Sequence, residues 1–184
     1  MSIFENFEGI ESQDSIIPGS QNNLQTDDET VLYKEDIEEI ELDERTRARG
    51  IALQVLFEMD MTDHPINVIL KERLDAVKLE GGLPKFVESI VLGVAPISHE
   101  IDRFIAKYAT EWPIEQIAVI DRNIIRIAVW EFAISEHTPL KVVINESVEL
   151  AKVFGSESSQ RFVNGVLGSL ADHQIDIKTA LEEI

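Results

Sequence analysis

From residue 43 onward, apolar residues recur at three- and four-residue steps, the spacing that lines one face of an α-helix. Between Asp43 and about Met61 the repeating positions are Ala48, Ala52, Val55 and Met59. Asp43 stands where its carboxylate caps that helix, and Asp43 and Glu44 sit at the positive end of the helix dipole. The pattern predicts a second helix from Pro65 to about Lys78, stopped by Gly81-Gly82. A third spans about Pro84 to Val94, where Pro96 breaks or kinks the run. A fourth, Ile97 to Tyr108, sets Ile101, Phe104, Ile105 and Tyr108 on one side. The strongest run goes from Ile114 or Glu115 to about Ser135, with Ile117, Ile120, Ile124, Ile127 and Ala128 as its core stripe. Thr138-Pro139 reads as an N-cap followed by proline in the first helical position. The helix it opens buries Val143, Leu150, Ala151 and Phe154. Gly155 is expected to take the left-handed conformation that ends that helix. Ser156 then caps a last long helix with Phe162, Val166 and Leu170 as its apolar face, and Gly165 and Gly168 for close approach. No strand alternation persists anywhere. The expected fold class is all-α, a bundle of about seven helices.

Residues 1–34 mix Ser, Gln, Asn, Asp and Glu with scattered Ile and Phe and show no sustained period. Such a segment buries too little apolar surface to offset its ordering entropy, so disorder is expected. From Tyr33 to Leu42 the spacing allows a short amphipathic lead-in helix. The chain is thus divided into an acidic extension at 1–43, a helical domain at 44–175 and a tail at 176–184.

Charge sharpens that division. The formal net charge is −19, which by itself argues against a polyanion ligand, since phosphates are neutralised by Lys and Arg. Residues 1–44, however, hold 14 acidic residues and one lysine, a balance of −13, whereas the other 140 residues balance at −6. Most of the acidity lies outside the helical body. The extension is either a solubilising tail or an electrostatic mask over the basic helix that follows it. No cysteine is present, so disulfides, thiolate metal sites and cysteine nucleophiles are excluded. No apolar run approaches the roughly 18 residues of a membrane span, and the N-terminus lacks the pattern of a secretory signal. A soluble cytoplasmic protein is expected.

His64, His99, His137 and His173 are scattered and none has a second ligand at helical spacing, so no metal site is expected. No phosphate-cradling glycine loop or nucleophile elbow occurs, and nothing suggests an enzyme or a cofactor. The one basic cluster is Arg45, Arg47 and Arg49 at the start of the first helix. Arginines beside an aromatic such as Phe57 suit RNA, whose unpaired bases stack on rings and guanidinium planes. Equally, the arginines can pair with acids such as Asp43 and Glu44, with Phe57 in the core. Asn145, Glu146, Glu149 and Asn164 interrupt apolar runs, and Arg126 and Glu131 are available to join them in a structural polar network.

Several segments together resemble the NusB family. Arg45-Thr46-Arg47-Ala48-Arg49 followed by Ala52-Leu53-Gln54-Val55-Leu56-Phe57 is similar to the family's arginine-rich start. Trp112 with Ile120-Asp121-Arg122-Asn123-Ile124-Ile125-Arg126 resembles its central helix. Pro139-Leu140-Lys141-Val142 leads into Asn145-Glu146 through Gly155, then Phe162-Val163-Asn164-Gly165, similar to its C-terminal signature. The resemblance covers roughly residues 44–172. It implies an all-helical fold of two small subdomains and a non-catalytic transcription antitermination factor.

The same resemblance implies partners. Members pair with NusE, a small-ribosomal-subunit protein, bind the single-stranded boxA element of nascent RNA, and act indirectly on elongating RNA polymerase during ribosomal RNA transcription. Carried onto this sequence, Arg45, Arg47, Arg49, Gln54, Arg161 and Phe162 fall on RNA-contacting positions. Phe57 and Asp121 fall on positions used against NusE, with Phe where tyrosine is common. The resemblance is compatible with a monomer or a homodimer. Thr46 interrupts an arginine run that is denser in some relatives, and Ser158 stands where an acid is common. Two other classes remain: the RNA-binding module of a ribosomal-RNA cytosine methyltransferase, and a protein-binding bundle without RNA affinity.

Overall fold

The computed structural model describes residues 43–110 and 113–183, within one compact unit of residues 42–184. The expected lead-in helix at 33–42, the expected disorder at 1–34 and Trp112 lie outside the described residues. Among the described residues there are eight α-helices and no strand. They are α1 Glu44–Met61, α2 Ile66–Ala76, α3 Leu83–Val94, α4 Ser98–Tyr108, α5 Val119–Trp130, α6 Leu140–Phe154, α7 Ser159–Ala171 and α8 Gln174–Glu182. The chain folds as an all-α bundle. α1 packs on α2 and α3, while α4 to α7 pack on one another, and contacts of α1 and α3 with α5 join the two groups.

α1 is the central element, and it is more buried than an amphipathic helix would be. Ala48, Arg49, Gly50, Ile51, Ala52, Leu53, Gln54, Val55 and Leu56 are all buried in succession. A helix hydrophobic on most of its circumference belongs inside a bundle. The four-residue stripe read from the sequence was therefore too narrow, and Met59, assigned to it, is only half-buried. Asp43 caps the helix as expected, its Oδ1 accepting from the Arg45 backbone N–H at 2.7 Å.

Pro96 lies in a 3₁₀ turn, Ala95–Ile97, which separates α3 from α4. Without an N–H, proline cannot continue the α-helical ladder. The long helix expected to reach Ser135 stops at Trp130 and passes into a π-helical turn, Glu131–Ser135. Glu136 then takes a left-handed conformation at φ 53°.

The caps of the last third differ from expectation. α6 begins at Leu140 with Pro139 in the cap position, and Thr138 donates instead to Glu131 at 3.3 Å. Gly155 is extended, with φ −91° and ψ −174°, not left-handed. Its need for glycine is steric: a Cβ there would lie 2.4 Å from the Ser159 Cβ. Ser156 does not cap α7; its backbone N–H donates to the Ser159 hydroxyl at 2.8 Å. Gly165 and Gly168 have no neighbour within 4 Å of an added Cβ and face outward. The close helix–helix approaches occur at Gly50, against the Phe154 ring, and at Gly93, against the Trp130 indole. Finally, the segment taken as a tail from 176 lies largely within α8, which buries Ile177 and Leu181.

Candidate nucleic-acid interface

The arginine cluster divides by burial. Arg45 is exposed and Arg47 half-buried, but Arg49 is only 3 % exposed. Helical geometry explains the division, since Arg49 lies on the side of α1 that faces the π turn and α6. Its Nε and Nη2 donate to the two Glu131 oxygens at 2.8 and 2.9 Å, and its Nη1 donates to Glu146 at 3.2 Å. Burial disfavours the guanidinium charge, yet Glu131 and Glu146 outweigh that and hold its pKa above the ordinary arginine value. Thr46, also buried, turns its hydroxyl to Glu146 and to Asp43. Gln54 is 7 % exposed. Arg49 and Gln54, read from the sequence as RNA contacts, are therefore interior residues. The position of Thr46 is likewise internal, not a missing phosphate contact.

The polar network expected among the last helices takes a different form. Glu146 joins α1 through Thr46 and Arg49, whereas Asn145, Glu149 and Asn164 are exposed. Arg126 belongs to a separate buried cluster. It donates to both Asp102 oxygens at 2.7 and 2.6 Å, and to Asp60 at 2.7 Å. Burial opposes its charge, but the two aspartates keep its pKa above the usual value.

What remains on the surface is a basic and aromatic set. Phe86, half-buried on α3, lies 5.0 Å from the guanidinium carbon of Arg45 and 5.3 Å from that of Arg49. Arg47 and Lys78 line a cleft of about 170 Å³ between the start of α1 and the α2–α3 turn, with Glu44, Leu79, Glu80 and Leu83. Arg161 is exposed and Phe162 half-buried in the first turn of α7. Phe154, at the end of α6, packs against Gly50 of α1, so the turn into α7 begins beside the arginine helix. Neither Phe86 nor Lys78 was singled out from the sequence. Phe86 comes beside Arg45, and Lys78 into the same cleft as Arg47, only through the fold, and no local spacing signals either placement.

The two positions assigned to a protein partner sit at the other end of α1. Phe57 is half-buried. Asp60, three residues on, accepts from Arg122 at 3.2 Å and Asn123 at 3.0 Å, which ties this end of α1 to the start of α5. Asp121, in that first turn, is 7 % exposed, and its Oδ1 has no hydrogen-bond partner among the described residues. Burial pushes its carboxyl up from the usual aspartate range, with the Ser159 hydroxyl opposing the shift. Met61 nearby is 58 % exposed. Among the described residues no group of three His, Asp or Glu side chains converges as a metal set, and no helix is long and apolar enough to cross a membrane.

A sequence model of the NusB family matches residues 46–172. The transcription antitermination protein NusB of Roseiflexus castenholzii is 46% identical over 128 residues, covering 68% of this chain and 90% of that protein. The same-named protein of Bacillus subtilis is 39% identical over 126 residues, 68% of this chain and 93% of its own length. T. maritima NusB superposes with a TM-score of 0.65 at 31% identity, covering 70% of this chain and 90% of that one. A crystal structure of the antitermination factors NusB and NusE in complex with double-stranded RNA contains a chain that superposes with a TM-score of 0.62. That match is at 25% identity and covers 74% of this chain and 97% of the other.

Proposed function

We propose a function from the premise that this chain belongs to the NusB family. The family is non-catalytic, and its members are transcription antitermination factors. On our reading this chain acts in the cytoplasm as such a factor, pairing with the ribosomal protein NusE and binding single-stranded boxA RNA during ribosomal RNA transcription. The family match over residues 46–172 carries the reading. The exposed guanidiniums of Arg45 and Arg161, with Arg47, supply phosphate contacts, and Phe162 supplies a ring for base stacking. Arg49 serves the same surface from beneath, fixing α1 through Glu131 and Glu146, and Gln54 is buried on the same helix. Phe57 and Asp121 contribute to the NusE-facing end.

The test is binding of a labelled boxA oligonucleotide with and without NusE. The RNA is expected to bind the two-protein complex more tightly than this chain alone. Arg47→Ala with Arg161→Ala is expected to weaken binding and flatten its salt dependence by about 0.7 per lost phosphate contact. Undiminished affinity in that double variant overturns the site. The withdrawal of Arg49 and Gln54 into the interior favours one other reading, a bundle that binds protein but not RNA. Tight NusE binding with no RNA affinity, with or without NusE, would establish it.

A further inference from the structure

The ring of Phe86 sits against two guanidiniums of very different standing. On one side is Arg49, buried and fixed by three hydrogen bonds to Glu131 and Glu146. On the other is Arg45, exposed and without an ion-pair partner among the described residues. Two cations on one ring would ordinarily repel. Here Arg49 is paired with the two carboxylates that hold it, which offsets that repulsion. A cation over an aromatic face gains from the ring quadrupole as well. The exposed arginine therefore lies against a ring that also borders a buried, fixed guanidinium.

A long side chain loses rotamer freedom when it engages a ligand, and holding it in place beforehand removes part of that cost. We propose that Phe86 is a positioning residue that holds the Arg45 guanidinium over α3 for a phosphate of single-stranded RNA. The inference rests on the RNA-binding reading above and names a residue and contact that reading does not contain. Phe86 need not touch RNA. It acts through Arg45, and Arg47, facing the cleft on another side of α1, does not depend on it.

The experiment is a double-mutant cycle in the full-length chain with NusE, using a labelled boxA oligonucleotide as probe. Phe86→Leu keeps an apolar side chain and removes the quadrupole. It is expected to weaken RNA binding about threefold, in line with an exposed cation–π contact. Phe86→Tyr is expected to bind like the original protein. In an Arg45→Ala background Phe86→Leu is expected to cause no further loss, whereas in an Arg47→Ala background its loss is retained in full. Thermal unfolding of Phe86→Leu within a few degrees of the original separates positioning from general damage, and the Tyr variant serves if Leu does not fold. Equal losses in the Arg45→Ala and Arg47→Ala backgrounds overturn the proposal, as does Phe86→Leu binding unchanged while Arg45→Ala binds weakly. Both of those outcomes leave the RNA-binding reading intact. Absence of RNA binding by the unmodified chain with NusE removes both.

Discussion

Arg49 and Glu131 face each other across the junction of α1 and the π turn as a two-point ion pair, with both side chains only 3 % exposed. The pair joins residues 82 positions apart and takes in Glu146, itself 20% exposed, as a third member. Removing one partner of such a buried pair leaves an uncompensated charge, which costs about 3–5 kcal/mol. Arg49→Ala is expected to lower the unfolding free energy by that amount in urea denaturation. Arg49→Lys is expected to recover only part of it, because an ammonium cannot match both Glu131 oxygens at once. A loss of less than about 1 kcal/mol for Arg49→Ala would show the pair to be dispensable.

Asp60 presents a contrasting case. Its Oδ2 accepts from Arg122, Asn123 and Arg126 together, but Arg126 also holds both oxygens of Asp102. Asp102→Asn should therefore be the more damaging of two equal-sized changes, since it dismantles the two-point pair on a buried guanidinium. Asp60→Asn is expected to cost about 1–3 kcal/mol, the range for a buried hydrogen-bonding group left short of a partner, because Arg126 keeps Asp102. Comparing the two denaturation midpoints checks the order. The reverse order would place the main anchor of Arg126 on α1 and not on α4.

Gly93 is held to glycine by Trp130. A Cβ at residue 93 would lie 2.2 Å from the indole Nε1 and 2.4 Å from Cε2, closer than side chains pack. Gly93→Ala must separate α3 from α5 or turn the indole, and overpacking of this kind costs about 1–3 kcal/mol. Trp130 is otherwise nearly buried, so its fluorescence should shift toward the red with the substitution. An unshifted spectrum with unchanged stability would mean that the ring relaxes freely.

The places of the first seven helices followed from apolar spacing, because their core is built from residues repeating every three or four positions. By contrast, α8 carried too little of that pattern to be read. Ile120, Ile124 and Ile127 are buried as that spacing requires. The basic cluster was legible as a cluster but not as a surface. An arginine on a helix reads as solvent-facing unless its acidic partners are known, and the partners of Arg49 lie in the π turn and α6. The same blindness hid Phe86, whose place beside Arg45 depends on how α1 crosses α3. Caps were misread where a fold-level bond displaced the local one. Thr138 looked like the cap of α6, yet its hydroxyl is taken by Glu131.

Asp121 is expected to make folding pH-dependent in an unusual direction. Burial raises its folded-state pKa above that of the unfolded chain, and the Ser159 hydroxyl only partly offsets this. Between those two pKa values the folded protein carries more of the proton than the unfolded chain does. Its contribution to stability therefore falls as pH rises from about 4, the ordinary aspartate value, through the raised folded-state pKa. At neutral pH the charged, incompletely bonded carboxylate is a net liability. Asp121→Asn should then be more stable than the original protein at pH 7, with the gap closing below about pH 4 in paired denaturation series. If the carboxylate is kept for NusE, the same variant should bind NusE more weakly, the trade expected where function needs a strained group. An Asn variant that is less stable at pH 7 would mean that the charge of Asp121 is well met within the fold. Its burial would then be no mark of a binding surface.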